Sequence, residues 1–266
     1  MESSDNRTAC DPLEVSGLTL AFDDFVLLRE VDFSVRAGEI FILMGGSGCG
    51  KSTLLRHLLG LDRSPVGSIR YKGVDLWEAS EEQHQKILRS CGVLYQQGAL
   101  WSSMTLAENV ALPLEEFTNW SKREIRQVAC LKLALVGLRG FEDYIPSEIS
   151  GGMRKRAALA RAMALDPEIL FLDEPSAGLD PVTSRNLDDL ILRLRDALGC
   201  TVVLVTHELS SIFAVGDRAL FLDNQARQIG GLGSPKELRD HPPSDAVRAF
   251  LNPREDLKDE NQPGEA

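Results

Sequence analysis

The sequence predicts an α/β fold built on a mainly parallel sheet, and three observations carry that expectation. Apolar runs of strand length alternate with helical patterns along most of the chain. The runs at 168–174 (EILFLDE) and 201–207 (TVVLVTH) are continuously apolar, which suits strands buried on both faces. The short β-rich run at 39–45 (EIFILMG) ends in glycine and leads into a helical pattern at 51–61 (KSTLLRHLLGL), with a glycine-rich loop between.

In chain order, residues 1–12 (MESSDNRTACDP) are polar and lack the apolar core of a signal peptide; a disordered leader is expected there. One folded domain, 13–251, follows. From Cys91 to about Leu165 the pattern turns mostly helical, which predicts a helical subdomain, 91–165, inserted in the α/β core. Ser121 and Glu124 form a capping box, and Ile125, Val128, Leu131 and Leu135 mark one face of the helix behind it. Residues 181–199 read as a helix opened by proline and closed by glycine. Residues 219–230 (ALFLDNQARQIG) read as two late strands with a turn near Asn224. The tail, 252–266, is acidic and polar and is expected to be disordered.

The chain has 266 residues with 29 Lys+Arg against 40 Asp+Glu, a net charge of −11. That balance argues against a general nucleic-acid binder. Five widely spaced cysteines without a CxxC argue against a disulfide framework or a zinc site. No window approaches the ~18–20 apolar residues of a spanning helix, so work at a membrane would need another chain as anchor.

The chemistry concentrates at three strand ends. GGSGCGKST, 45–53, fits G-x-x-x-x-G-K-[ST] at Gly45, Gly50, Lys51 and Ser52. Gly45, Gly46, Ser47, Gly48, Cys49, Gly50 and Thr53 supply a loop whose backbone N–H groups converge on phosphate oxygens. Lys51 reaches the β- and γ-phosphates, and the Ser52 hydroxyl takes magnesium. Cys49 reads as a small residue that fits the loop. Asp173 and Glu174 end the 168–174 run; Asp173 suits a magnesium shell and Glu174 a position where a carboxylate polarises water. His207 ends the 201–207 run, within reach of the same ligand. His57 is expected to be packed or solvated, and His84 and His241 lie in polar surroundings.

Together with Gln96 in VLYQQGAL, ISGGM at 149–153 and SAGLD at 176–180, this set resembles the nucleotide-binding subunit of ABC transporters over about residues 13–251. The resemblance implies a P-loop, RecA-like core with an antiparallel β portion, an ATPase that uses ATP and Mg2+, and a head-to-tail dimer of two copies sandwiching two nucleotides. It assigns Ser150, Gly151, Gly152 and Met153 to the γ-phosphate held by the other copy. Phe22 aligns with an adenine-stacking aromatic, Gln96 with a loop glutamine reaching magnesium, and Asp180 with an acid crossing the dimer interface. Gly46 stands where the family often has proline, Met153 where it usually has glutamine, and Phe22 where it often has tyrosine. The basic run Arg154-Lys155-Arg156 is expected on a solvated helix face or paired with acids.

The absence of a spanning segment and of a second P-loop in this sequence implies a separate ATPase subunit docked on an integral membrane permease. It would be cytoplasmic and peripheral on the inner face of the inner membrane. Leu100, Trp101, Met104 and Leu106 in 98–116 either line a groove for a permease helix or pack the subdomain. Met153, VTHELSSIFAVGDRALFLD (205–223), GSPKEL and VRAFLN resemble ATPases that partner MCE-domain lipid transporters of the Mla type. Two other readings stay open at this point: the ATPase of an amino-acid or other solute importer, and a soluble non-transport ATPase such as the iron–sulfur cluster assembly type.

Overall fold

The computed structural model describes residues 10–22 and 25–252. All of the expected leader but residues 10–12, and all of the expected tail but Asn252, lie outside the described residues. The chain opens with β1 (Leu13–Phe22) and β2 (Phe25–Val35), an antiparallel pair, and then enters the central sheet with β3 (Ile40–Met44). Helix α1 (Lys51–Leu58) follows; β4 (Val66–Tyr71) and β5 (Val74–Asp75) complete a four-stranded antiparallel sheet in the order β2-β1-β4-β5. Helix α2 (Glu81–Arg89) leads to β6 (Cys91–Leu94), and then come α3 (Leu106–Phe117), α4 (Lys122–Leu135) and α5 (Gly151–Ala162). The chain returns through β7 (Ile169–Asp173), α6 (Pro181–Leu198), β8 (Thr201–Val205), α7 (Leu209–Val215), β9 (Arg218–Asp223) and β10 (Gln228–Gly233). It closes with α8 (Pro235–Asp240) and α9 (Asp245–Leu251).

The central sheet has the order β10-β9-β3-β8-β7-β6, parallel throughout except for the β9–β10 hairpin. Strands β3, β7 and β8 are apolar on both faces because both faces are covered. Ile40, Ile42, Leu170, Leu172, Val202 and Leu204 enter one core with the helices. Phe41, Leu43, Ile169, Phe171, Val203 and Val205 enter another with α1 and the antiparallel sheet. Among the described residues no helix is long and apolar enough to cross a membrane.

Two expectations for the helical stretch need correction, and between two readings of a third feature the packing selects one. Cys91–Leu94 is a strand of the central sheet, paired with β7, so the inserted helices begin after Leu94. Four residues are too few for periodicity to reveal, and the pairing is made across 78 residues. The buried face of α4 is Ile125, Ala129, Lys132 and Leu133; Leu131 (57% exposed) and Leu135 (43%) point away from the core. A helix has several ways to group its leucines, and only the neighbours α3 and α5 select one. Finally, Leu106 is fully buried, whereas Trp101 is 61% exposed. Leu100 and Leu106 thus pack the subdomain, the second of the two readings open for that stretch, and the groove that forms beside β6 is lined instead by Leu88, Val93, Tyr95, Pro113, Phe117 and Leu165. Buried Asn109 accounts for the loop before α3. Its Oδ1 accepts from Trp101 N (2.7 Å), and its Nδ2 donates to the carbonyls of Trp101, Met104 and Thr105.

Between α6 and α7 lies Asp188, 3% exposed. Its Oδ2 accepts from Ser211 Oγ (2.8 Å), and its Oδ1 has no partner among the described residues. Burial pushes its acid from 3.8 up to about 6. Between those values the folded chain keeps a proton that the unfolded chain has lost, so this group costs stability increasingly as pH rises from about 4 to 6, and fully above 6. Asp188→Asn mimics the protonated acid. Its Tm advantage over the parent is expected to widen between pH 5 and pH 7.5 by a few degrees, about 1 kcal/mol. A pH-independent gap in thermal melts would contradict this assignment.

Candidate active site

The phosphate loop grows from the core outward. Strand β3 ends at Met44, and Gly45 turns with φ 149° beneath β9. A Cβ there would stand 2.7 Å from both Leu222 O and Cys49 Sγ, so the position takes only glycine. Gly50 caps α1 in the left-handed region (φ 101°) without a side-chain cap. The first-turn N–H groups of α1 and the helix dipole therefore face the loop and suit an anion. Lys51 Nζ folds back on the loop, donating to Gly45 O and Gly46 O at 2.9 Å each. Phosphate oxygens would replace those carbonyls. The Cys49 side chain is buried against this turn, so the residue offers a ligand only its backbone.

A cavity of about 700 Å3 opens over the loop. Gly46, Ser47, Gly48, Gly50, Lys51, Ser52 and Thr53 form its floor, and Phe22, Leu27, Gln96, Glu174, His207 and Phe250 its walls. Phe22 ends β1 and is 54% exposed, a free ring face rather than a core residue. Phe250, from α9 and packed on Phe221, is a second aromatic that no sequence motif flagged.

Sheet order brings the acid end to the same cavity. Strands β6, β7 and β8 are adjacent and parallel, so the residues after their carboxyl ends meet. Glu174 N donates to Val205 O (2.9 Å), and Glu174 itself adopts φ 45°, unusual for a residue with a side chain. Gln96 Nε2 donates to Glu174 Oε2 (3.2 Å), and His207 Nδ1 donates to Glu174 Oε1 (2.9 Å). Each carboxylate oxygen keeps a further lone pair for a proton or a water. Asp173 lies half-buried behind; burial, then the charge of Glu174, raises its acid above the ordinary range, while Lys155 and Lys51 oppose this. Among the described residues no three His, Cys, Asp or Glu side chains cluster as a metal cage. One carboxylate with a hydroxyl (Ser52) and an amide oxygen (Gln96) is a sparse, hard donor set. It suits Mg2+, which draws its remaining ligands from phosphate and water.

The Gly151–Gly152 pair lies elsewhere. Ser150 caps α5, its Oγ accepting from Met153 N (3.2 Å). Ser150 and Gly152 line a separate cavity of about 490 Å3 with Leu179, Thr183 and Leu187, and no residue lines both cavities. The Met153 side chain packs toward the helical core. Asp180 caps α6: its Oδ1 accepts from Val182 N (3.0 Å) and Thr183 N (3.1 Å) and its Oδ2 from the Thr183 hydroxyl, which holds its acid below the usual range. Within one chain, then, Ser150, Gly151, Gly152, Met153 and Asp180 are not brought to the phosphate loop.

The basic run corrects another expectation in part: Arg154 is exposed as expected, but Lys155 is buried, and none of the three pairs with an acid among the described residues. Arg154 donates to Ile149 O (3.1 Å), Arg156 to Val136 O (3.3 Å), and buried Lys155 to the carbonyls of Gln96 and Glu174. Three cations in a row look solvated in sequence; these serve as donors to loop carbonyls.

A phosphate loop on a parallel sheet, with an acid, a histidine and a glutamine at the neighbouring strand ends, defines a P-loop nucleoside triphosphatase. Residues 28–177 match the ABC transporter family model. The chain belongs to that family; it binds and hydrolyses ATP as the ATPase subunit of a transporter. It is 43% identical over 242 residues to the probable ribonucleotide transport ATP-binding protein mkl of Mycobacterium tuberculosis, covering 91% of this chain and 67% of that one. It is 38% identical over 213 residues to the intermembrane phospholipid transport system ATP-binding protein MlaF of Haemophilus influenzae, covering 80% and 81%. A dimeric ATP-binding cassette solved in a post-hydrolysis state with ADP and Pi superposes with TM-score 0.74 at 29% identity, covering 84% of this chain and 98% of that one.

Proposed function

We propose that two copies of this chain form a head-to-tail dimer that closes on two ATP molecules and drives an integral membrane permease for phospholipid or a similar hydrophobic molecule. The observation that carries the dimer is the separation of the two cavities. Ser150, Gly151 and Gly152, of the ISGGM signature that opens the signature helix α5, sit at a helix N-terminus suited to phosphate, yet away from the phosphate loop of their own chain. A second copy supplies what each loop lacks. The lipid substrate is supported by the likeness to MlaF over four-fifths of both chains. An MCE-domain protein as a further partner, and a peripheral position on the inner face of the membrane, belong to the same proposal and rest on the resemblance of the 205–223, GSPKEL and VRAFLN segments to Mla-type ATPases.

In this reading Lys51 and the loop amides hold the phosphates, and Phe22 stacks on the adenine. Ser52, Asp173 and Gln96 would hold Mg2+, which would neutralise charge on the phosphates when bound. Glu174 takes the proton of the attacking water. Gln96 and His207, each on one Glu174 oxygen, fix the carboxylate so that its free lone pairs face the cavity. Asp180, as helix cap, stiffens the loop that meets the other copy. Loss of the γ-phosphate removes contacts made only in the closed dimer, so the dimer reopens. The apolar groove beside β6, with Tyr95 immediately before Gln96 and Phe117 at the end of α3, suits a permease helix.

Purification from native membranes in mild detergent tests the reading. A polytopic permease with an MCE-domain protein and bound phospholipid is expected. A permease with a solute-binding protein would replace the lipid substrate with a solute. Recovery without any permease would overturn the transport partner.

A further inference from the structure

Lys155 is the buried member of the basic run, 8% exposed. Its ammonium has three donors. One bonds the Gln96 carbonyl and one the Glu174 carbonyl, the latter at 3.3 Å. The side chains of those same two residues bond each other. A single cation on α5 therefore fastens the backbone at both ends of the Gln96–Glu174 contact. The Gln96 loop is fastened again from the same helix, where Arg161 donates to Gly98 O (2.8 Å) and Ala99 O (2.7 Å). The Glu174 backbone needs such support, because its left-handed φ persists only where the surroundings hold it. Packing alone would call for an apolar side chain at this depth; burying an ammonium is costly unless its hydrogen bonds matter.

We propose that Lys155 is a positioning residue for ATP hydrolysis, locking the Gln96 and Glu174 backbones to α5 so that the catalytic carboxylate is held by the signature helix. Lys155 lies five residues beyond Ser150, about 7.5 Å along the helix. A nucleotide engaging the α5 N-terminus thereby acts on the Glu174 of the same chain. The inference rests on the roles given above to Glu174 and Gln96.

The test is steady-state hydrolysis by the full-length protein, with ATP affinity and Tm measured on the same samples. Lys155→Met is expected to lower kcat about 10- to 100-fold, with the Kd for ATP within about twofold, and Lys155→Arg to recover most of the loss. In the Lys155→Met background, Gln96→Ala is expected to cost clearly less than it does in the parent, because the share of its effect that passes through Glu174 is already lost. Lys132→Met removes another buried lysine, on α4 and paired with Asp166, and is expected to lower Tm with kcat unchanged. Normal kcat for Lys155→Met, a parallel loss of ATP affinity, or a loss that multiplies fully with Gln96→Ala would each overturn the proposal. Should Lys155→Met not fold, Lys155→Gln is read by the same criteria; failure of both to fold assigns Lys155 to stability alone and also overturns it. Glu174→Gln separates the two levels. If it retains activity, the site reading itself fails; if it is inactive while Lys155→Met is normal, only this inference fails.

Discussion

Glu174→Gln is expected to reduce ATP turnover by about 10^2- to 10^4-fold, the usual worth of a positioned general base, while leaving ATP bound. The substitution preserves shape, and an amide oxygen in place of Oε1 or Oε2 still accepts from His207 Nδ1 or Gln96 Nε2. The side chain would no longer carry a basic carboxylate to take the proton of water. The floor of the cavity, from Gly46 to Thr53, is untouched, so affinity for ATP is retained. With binding intact and hydrolysis stopped, the ATP-bound dimer should accumulate. Phosphate release and size-exclusion chromatography with ATP check both halves. Turnover at the parent rate would show that another group serves as the base.

Gly152→Ala is the second large effect, and its cause is packing. A Cβ on Gly152 would stand 2.6 Å from Thr183 Cγ2. Thr183 cannot yield freely, because its N–H and hydroxyl both bond Asp180. The new methyl therefore forces α5 and α6 apart where the proposed second nucleotide enters. Turnover is expected to fall about 10- to 100-fold, with a stability loss of about 1–3 kcal/mol. ATP binding to the single chain is expected to hold, since neither residue lines the phosphate-loop cavity. Adding Thr183→Ser removes the opposing methyl and keeps the hydroxyl, and should restore much of the turnover. A double variant as slow as Gly152→Ala alone would move the effect from the α5–α6 contact to the ligand side of the glycine.

The two cases differ in how they were legible. Glu174 was readable because it ends a continuously apolar strand, a place where a carboxylate is costly without a task. Gly152 was readable only by its likeness to a family motif; that Thr183 opposes it depends on the packing of two helices.

The same division runs through the molecule. Sequence alone determined what depends on near neighbours. The strand–loop–helix at 39–58 follows from an apolar run, glycines and a helical pattern in direct succession, and the central strands from apolar runs covered on both faces. The Ser121–Glu124 box and the Pro181 and Gly199 helix ends are set within a few residues of chain. Tertiary structure decided what depends on distant partners. It placed Cys91–Leu94 in the sheet, turned α4 so that Ala129 rather than Leu131 is buried, and folded Lys155 inward onto carbonyls 59 and 19 residues away. It also assembled the candidate site, since Gln96 and His207 reach Glu174 across 78 and 33 residues. Local patterns record which face a segment must bury; which distant atoms meet there is set by strand order and helix packing, to which no short stretch of sequence is sensitive.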